Sequence, residues 1–255
     1  VAERKGAGSF VTEVSMDETD AAQTPVELLF ILAAIADEGI PAQTVAPKFS
    51  GRFNKGVDYD GDPATFADEF EQDVAVVACA VEAFDLPDNL KLSIHSGSDK
   101  FSIYPAVNEA LRKHNAGVHL KTAGTTWLEE IIGLASGGGE GLRIAKEIYL
   151  TALERFDELC APYAPVLDID KARLPSVNAA SKWDGATFVS VLRHDPENEF
   201  YNPHFRQLLH VSYKLAAEMG EPFLAALDAC RASVAENVFA NLYERHIQPV
   251  FGGLK

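Results

Sequence analysis

The sequence has few basic residues and no long apolar run, and both shortages exclude a class of protein. Its 22 Lys and Arg residues stand against 38 Asp and Glu residues, which gives a formal net charge of −16. Such a chain lacks the basic field that attracts phosphates, so nucleic acid is not an expected partner. No apolar stretch approaches the roughly 18–20 residues of a membrane span, and no signal peptide is visible. We therefore expect no membrane association.

Cysteine is also scarce. The three cysteines, Cys79, Cys160 and Cys230, each stand in an apolar pattern with helical spacing. This is typical of reduced core thiols rather than of disulfides or a metal cluster, and it predicts a cytoplasmic protein. What remains is an ordinary globular composition with 47% hydrophobic and 24% charged residues. A length of 255 residues suits one α/β barrel or two smaller domains.

The stretch 91–127 predicts one strand–helix–strand unit. Lys91–Ile94 and Gly117–Leu120 have the length and β-branched content of buried strands. Between them, Tyr104–Lys113 has helical spacing and ends at an Asn-Ala-Gly turn. Polar residues follow both strands. In parallel α/β folds the carboxyl edge of the strands is where active sites lie, so we expect the site there.

Five or six strand candidates alternate with helices along the chain, and this predicts a parallel α/β fold. Phe10–Met16 and Thr187–Leu192 are among these strands, whereas 208–213 fits a strand or the first turns of a helix equally well. We predict a single α/β, TIM-barrel-like catalytic domain over residues 1–255. A complete eight-stranded barrel needs more strands, so an incomplete barrel that lacks N-terminal elements is the expected form.

Two histidines stand at equivalent points of neighbouring strands. His95 follows the first strand of the 91–127 unit, and His119 lies near the end of the second. A lone histidine beside an apolar run is usually a hydrogen-bonded core residue. Two of them, near an acid at a third strand end, fit the nitrogen and oxygen ligands of a divalent ion. The spacing matches no short metal motif.

The third strand end carries Asp17 and Glu18. Either acid can cap the turn that precedes the helix at Pro25, or act as an acid/base group or metal ligand. Strand alternation does not decide between them. We choose Glu18 for the chemical role because its side chain is longer by one methylene, and Asp17 for the cap.

Positive side chains gather after the predicted strands in a protein otherwise short of base: Lys48, Arg52, Lys55, Lys100 and Lys121. A cationic pocket in an acidic protein predicts an anionic small ligand, such as a carboxylate or phosphate. The neighbouring Ser, Thr and Asp residues suit a polyhydroxylated one. A loop of about 15 residues at 48–62 exceeds the usual connection length and is expected to cover the site.

Several segments, in order along most of the chain, resemble the tagaturonate epimerase family. They are VSMDETD (14–20), PKFSGRFNKGVDYDGD (47–62), KLSIHSGSDKFSIYP (91–105), HLKTAGTTWLE (119–129) and FRQLLHVSYK (205–214). The resemblance implies a TIM-barrel-like, divalent-metal-dependent enzyme of hexuronate catabolism that interconverts the keto-hexuronates tagaturonate and fructuronate. Family members extend further at the N-terminus, so residues 1–255 are expected to be the C-terminal part of a longer pattern.

These observations assign candidate roles. The candidate metal ligands are His95 and His119. The candidate catalytic groups are Glu18, Asp99 and Lys100, and the candidate substrate-binding residues are Lys48, Arg52, Ser96, Lys121 and Thr122. Lys100 and Lys121 are together expected to hold the carboxylate of the sugar acid.

The chemistry implied by the resemblance is an inversion at C4, two carbons from the C2 ketone. Enolisation does not acidify C4, so retro-aldol cleavage of C3–C4 with rotation and re-addition is the expected route. Direct deprotonation and transient oxidation stay open, although no dinucleotide fingerprint supports the latter. The alternatives in function are a metal-dependent sugar aldolase or isomerase on a similar barrel and a non-catalytic sugar-acid-binding domain.

Overall fold

The fold is built on a four-stranded parallel sheet. The computed structural model describes residues 1–6, 8–17, 19–94 and 99–254, apart from the side chain of Ala2. The strand order is β1–β2–β3–β4, and each strand pairs in parallel with the next along the chain. The strands are β1 (Glu13–Ser15), β2 (Thr44–Ala46), β3 (Lys91–Ile94) and β4 (Val118–Leu120).

Helices connect the strands and make up most of the chain after β4. They are α1 (Ala2–Lys5), α2 (Pro25–Asp37), α3 (Pro63–Phe84), α4 (Tyr104–His114), α5 (Ala123–Gly137), α6 (Gly139–Glu154), α7 (Phe156–Cys160), α8 (Val177–Lys182), α9 (Gly185–Leu192), α10 (Pro203–His210), α11 (Tyr213–Met219), α12 (Glu221–Ala229), α13 (Arg231–Phe239) and α14 (Gln248–Phe251). Short 3₁₀ segments occupy Phe101–Ile103, Ala161–Val166 and Lys171–Arg173, and Ala240–Ile247 is a π-helix.

Local sequence explains where the first helices begin and end. Thr24 and Glu27 form a reciprocal capping box at the start of α2, and the Asp62 carboxylate caps α3. Asn115 ends α4 in the left-handed conformation with φ 48°, which asparagine tolerates better than most residues. The predicted strand–helix–strand unit at 91–127 is confirmed.

One face of the sheet packs against α2, α3 and α4. Val14, Val45, Leu92 and Val118 are paired in register across the four strands, and they pack into this first hydrophobic core. Phe66 and Phe70 of α3 stack on each other in the same core. These four residues define the apolar face of the sheet. Because side chains alternate along a strand, the residues before and after each of them point to the opposite face.

A second hydrophobic core lies among the later helices. It joins Trp127, Ile131 and Leu134 of α5 to residues of α6, α9, α10, α11 and α12, including Ile148 and Phe205. Helix α5 therefore starts at the end of β4 and continues into a helical layer. The protein consists of an α/β part and a helical part, each with its own core.

The sequence-based prediction of a strand at 187–192 is wrong, because these residues form α9. Asp184 accepts a hydrogen bond from the Thr187 amide at 2.8 Å, and this cap starts a helix despite the β-branched residues that follow. Phe188, Val191 and Leu192 are buried at helical spacing. Residues 208–213 likewise belong to the end of α10 and the start of α11, so the helical alternative holds there.

The mixed α/β class and the parallel sheet are confirmed, but the described residues contain four strands rather than five or six. Within these residues no helix combines the length and apolar character needed to cross a membrane.

Candidate active site

A row of polar side chains lies on the face of the sheet opposite the first core. We call Glu13, Thr44, Ser93, His119 and Lys121 the polar sheet face. Glu13 is the centre of this group: its carboxylate accepts hydrogen bonds from the Lys121 ammonium and, at 3.0 Å, from the Thr44 hydroxyl. Since Glu13 lies on β1 and Lys121 directly follows β4, one ion pair joins the two edge strands.

Glu13 is ionised in this arrangement. Partial burial pushes its pKa upward, but hydrogen bonds from Lys121, Ser93 and Thr44 outweigh that effect and hold the pKa below its ordinary value. A carboxylate with this many donors is a poor proton acceptor. Its geometry instead suits it to orient Lys121, whose side chain is 31% exposed and which therefore presents ammonium hydrogens toward solvent.

His119 is the described member of the predicted metal pair. Its Nδ1 lies 3.2 Å from Ser93 Oγ and 3.5 Å from a Glu13 carboxylate oxygen, and 44% of its side chain is exposed. One imidazole and one carboxylate are suitable ligands for a divalent ion. Among residues 1–6, 8–17, 19–94 and 99–254, however, no three His, Cys, Asp or Glu side chains come together as a metal site. The described donors alone therefore do not fit a metal ion.

A pocket of about 350 Å³ lies where β1 and β2 end. We call it the strand-end pocket. Lys48, Arg52 and Lys55 line it together with Asp17. Residues of the 3₁₀ segment Ala161–Val166 line it as well. Three cations around one carboxylate make the pocket positive on balance. The 48–62 loop thus covers the strand ends, and it carries the predicted binding residues Lys48 and Arg52 to one place.

Asp17, predicted from the sequence to cap the turn, lies at the strand-end pocket. Its carboxylate accepts a hydrogen bond from the Ser15 hydroxyl at 2.6 Å, and it lines the strand-end pocket. The Thr19 amide and hydroxyl both donate to the Met16 carbonyl. Asp17 is thus also a candidate site residue, while its predicted role as a turn cap stays a prediction. Glu18, chosen from the sequence for the chemical role, lies outside the described residues, so its role stays a prediction.

Asp99 lies in a fully enclosed group that we call the buried charge cluster: Asp99, Glu129, His194, Arg206, Asn241 and His246. Arg206 pairs with the Asp99 carboxylate, and His194 Nδ1 lies 3.3 Å from the same carboxylate. Burial opposes ionisation of Asp99, yet Arg206 and the two histidines hold its pKa well below the ordinary value. Asp99 also adopts φ 58°, and its backbone amide donates to His246 Nε2 at 2.9 Å.

The π-helix explains how two of these partners reach Asp99. Asn241 and His246 are five residues apart, and a π-helical turn places such residues on the same face. Asn241 donates to the second oxygen of Asp99 at 3.3 Å and to Glu129 at 3.2 Å. The cluster joins Asp99 to α5, α10 and the C-terminal helices. Its position and full burial suit a structural anchor between the two parts of the protein.

Lys100 is also fully buried. Its ammonium donates to the carbonyls of Asn54 at 3.0 Å and Val57 at 2.5 Å, which ties it to the loop that follows β2. Burial lowers its pKa to about 8. The described contacts show how Lys100 supports the 48–62 loop, while the catalytic roles assigned to Lys100 and Asp99 stay predictions.

The remaining predicted residues fall into two groups. Thr122 directly precedes α5 at the carboxyl edge of the sheet and is partly accessible, next to Lys121 of the polar sheet face. His95 and Ser96 lie outside the described residues, so the metal ligand and the substrate contact assigned to them stay predictions.

Sequence reasoning missed Glu13 as a site residue. The sequence did contain a signal for it. Because side chains alternate along a strand, Glu13 of the predicted strand Phe10–Met16 lies on the same face as Ser15 and, one step beyond the strand, Asp17. Arg206, His194 and His246 were missed for a different reason. Arg206 and His246 lie on helices and His194 follows α9, all distant in sequence from the strand ends. Nothing local in their sequence predicts that they surround Asp99.

Comparison with known proteins gives consistent results. The family model for tagaturonate epimerase matches residues 3–246. A tagaturonate/fructuronate epimerase of Thermotoga maritima is 33% identical over 205 residues, which are 80% of this chain and 37% of that protein.

Crystal structures of the fructuronate-tagaturonate epimerase of Cohnella laeviribosi are 26% identical to the chain. The native structure has a TM-score of 0.75 and covers 97% of this chain and 46% of its own; a glycerol-bound one has a TM-score of 0.76. The chain thus spans less than half the length of the relatives it matches. A family match over nearly all of its own residues nevertheless shows that the chain belongs to the tagaturonate epimerase family.

Proposed function

We propose that the protein interconverts D-tagaturonate and D-fructuronate by inversion at C4, as a step of hexuronate catabolism. Membership of the tagaturonate epimerase family is the observation that carries the proposal. The cationic side chains at the strand ends support it, because a protein of net charge −16 that gathers Lys48, Arg52 and Lys121 at one sheet edge suits an anionic sugar acid.

The proposed architecture is a TIM-barrel-like domain to which this chain contributes part of the strands. A parallel sheet is normally covered on both faces, and its polar face here carries a connected network that joins β1 to β4. In the proposed domain this face turns inward, and the site lies at the carboxyl ends of the strands. The relatives, which are about twice as long as this chain, have room for the remaining strands.

Divalent-metal dependence is part of the proposal and rests on the family resemblance and on His119. A metal ion would supply Lewis-acid polarisation of the substrate ketone. Since the described residues do not fit a complete site, no reaction step is derived through it. His95 and Glu18, proposed as further contributors, lie outside the described residues.

The described residues have distinct proposed tasks. Lys121 holds the substrate carboxylate, and Glu13 fixes the direction of that ammonium across the sheet. Lys48 and Arg52 line the strand-end pocket and attract the anion, while Thr122 offers a hydroxyl beside Lys121. Together they bind a sugar acid at the carboxyl edge of the sheet.

The proposed reaction is a retro-aldol cleavage followed by re-addition. A base takes the proton of the C4 hydroxyl, the C3–C4 bond breaks, and its electron pair moves into an enolate of the C2 ketone. The aldehyde formed at C4 then turns its other face, C3 attacks it again, and the proton returns to the C4 oxygen. Both fragments must stay bound until they recombine, and the charged side chains at the strand ends hold them.

The direct test is incubation of the protein with tagaturonate and a divalent salt, followed by NMR. We expect fructuronate to form without loss of mass and without release of a three-carbon product. Release of three-carbon fragments would instead identify an aldolase. Binding of tagaturonate without any product would identify a sugar-acid-binding domain.

A further inference from the structure

His210, the last residue of α10, has no role in the proposed function, although its side chain lies near the predicted site. Its ring lies against two glycines from different loops. A β-carbon added to Gly124, in the first turn of α5, would overlap His210 Nε2, and one added to Gly56 would lie 3.2 Å from His210 Cδ2. Both glycines therefore make room for this imidazole.

The two glycines fix where the ring lies relative to the sheet. Gly56 belongs to the loop after β2, and Gly124 belongs to the turn after β4. Because β3 lies between β2 and β4 in the sheet, a ring that contacts both loops lies across the carboxyl end of the sheet. That edge is where Lys121 and Thr122 also lie.

The chemistry of the ring is that of a neutral hydrogen-bonding group. Burial, and then the positive charges of Lys55, Arg206 and Lys100, lower the pKa of His210 to about 3. A neutral imidazole has one donor and one acceptor nitrogen. Among the described residues neither nitrogen has a hydrogen-bond partner, yet part of the residue surface stays accessible.

Two polar groups that are close in sequence to the same glycines lack hydrogen-bond partners among the described residues. The Thr125 hydroxyl, adjacent to Gly124, and the Asn54 side-chain oxygen, two residues before Gly56, are buried without a hydrogen bond among the described residues. Buried polar atoms are normally satisfied, and exceptions cluster where a ligand or water completes the set. The partly accessible imidazole, with one donor and one acceptor nitrogen, matches a hydroxyl group of a polyhydroxylated ligand.

We propose that His210 is a substrate-contacting residue that hydrogen-bonds a hydroxyl group of the sugar acid at the carboxyl edge of the sheet. The proposal rests on the proposed function for the identity of the ligand. It assigns specificity to α10, a helix of the helical part, which thereby completes a site otherwise built on the α/β part.

The test uses two substitutions that separate hydrogen bonding from packing. His210→Phe keeps an aromatic ring between the glycines but removes both nitrogens, and His210→Gln keeps a donor and an acceptor. We expect His210→Phe to keep the melting temperature and to lower kcat/KM on the order of tenfold, and His210→Gln to recover part of the loss. Gly124→Ala, which displaces the ring, should lower kcat/KM as well.

His114→Phe is the matched control, because His114 lies at the far end of α4 beside Glu71. It should leave the kinetics unchanged. Wild-type kcat/KM in His210→Phe would overturn the proposal. So would equal losses in His210→Phe and His210→Gln that follow a lowered melting temperature, since packing alone would then explain them.

A binding measurement separates this proposal from the proposed function. The ring nitrogen signals of His210 in ¹⁵N NMR should shift when tagaturonate is added. A shift without turnover by the wild-type protein would reject the epimerase and keep the contact. Turnover with unmoved His210 signals would keep the epimerase and reject the contact.

Discussion

The polar sheet face and the buried charge cluster contain the same kinds of residues in very different surroundings. In the cluster, the side chains of Arg206, Asp99 and Glu129 are 0%, 0% and 1% exposed. On the sheet face, Glu13, Lys121 and His119 are 19%, 31% and 44% exposed. An acid, a base and a histidine therefore occur twice, once sealed and once open.

The difference in burial separates two tasks. Removing one partner of a sealed ion pair leaves an uncompensated charge in the interior, so such a pair matters for stability. An open pair contributes little to stability, because water screens it and solvates each partner when the other is lost. The comparison predicts that substitutions in the cluster change folding and that substitutions on the sheet face change binding.

The largest expected effect is on stability, from Arg206→Met. This change removes the arginine that pairs with the buried Asp99 carboxylate, and it removes the hydrogen bonds to the Gly56 and Leu192 carbonyls. We expect a loss of about 3–5 kcal/mol in the free energy of unfolding, measured by urea denaturation. Arg231→Met, at an exposed ion pair with Asp228, is the control and should change stability by less than about 1 kcal/mol. Equal losses of stability in Arg206→Met and Arg231→Met would contradict the distinction between buried and exposed ion pairs.

The second prediction concerns binding. Lys121→Met should raise KM for tagaturonate by an amount equivalent to about 1.5–3 kcal/mol, because a charge-assisted hydrogen bond to the carboxylate is lost. The melting temperature should change little. Lys113→Met, whose ammonium pairs with Glu71 on the outer side of α3 and α4, is the matched control. An unchanged KM in Lys121→Met would remove this lysine from the site.

The third prediction uses pH to probe the cluster. Burial raises the pKa of Glu129 to about 7, so the folded protein holds a proton there that the unfolded chain releases at its ordinary pKa of 4.5. Stability should therefore fall as pH rises from about 4.5 to about 7, and Glu129→Gln should abolish this component. Near pH 8 the variant should be more stable than wild type by roughly 1–3 kcal/mol. If stability depends on pH in the same way in wild type and Glu129→Gln, the prediction is contradicted.

The smallest expected effect is that of Arg52→Gln. Arg52 is exposed at the mouth of the strand-end pocket, so its charge attracts the anion through water. We expect a severalfold rise in KM at low salt that fades as salt is added, measured by steady-state kinetics at two ionic strengths. A salt-independent loss would instead indicate a direct contact.

The sequence predicted the α/β part well because its signals are local. The strands at 91–94 and 118–120 and the helix between them all follow from short patterns. It failed at 187–192, where β-branched residues favour a strand but the Asp184 cap and burial at helical spacing favour α9. Propensity is a weak guide when tertiary packing decides.

The site was predicted in part for a similar reason. Strand ends bring Lys48, Arg52, Lys121 and Thr122 to one edge of the sheet, and this can be inferred from the sequence. The partners of Asp99 cannot, because Arg206 is 107 residues away along the chain. The burial of Asp99 depends on how α10 and the π-helix pack, and no local sequence pattern predicts that packing.

The most direct measurement pairs the two regions in one experiment. Wild type, Lys121→Met and Arg206→Met are each examined by thermal melting and by tagaturonate titration at a temperature where all are folded. We predict that Lys121→Met binds tagaturonate more weakly at an unchanged melting temperature. Arg206→Met should have a lowered melting temperature, while its folded fraction binds with near wild-type affinity. A stable Arg206→Met protein with abolished binding, or a Lys121→Met protein that unfolds early and binds normally when folded, would contradict it.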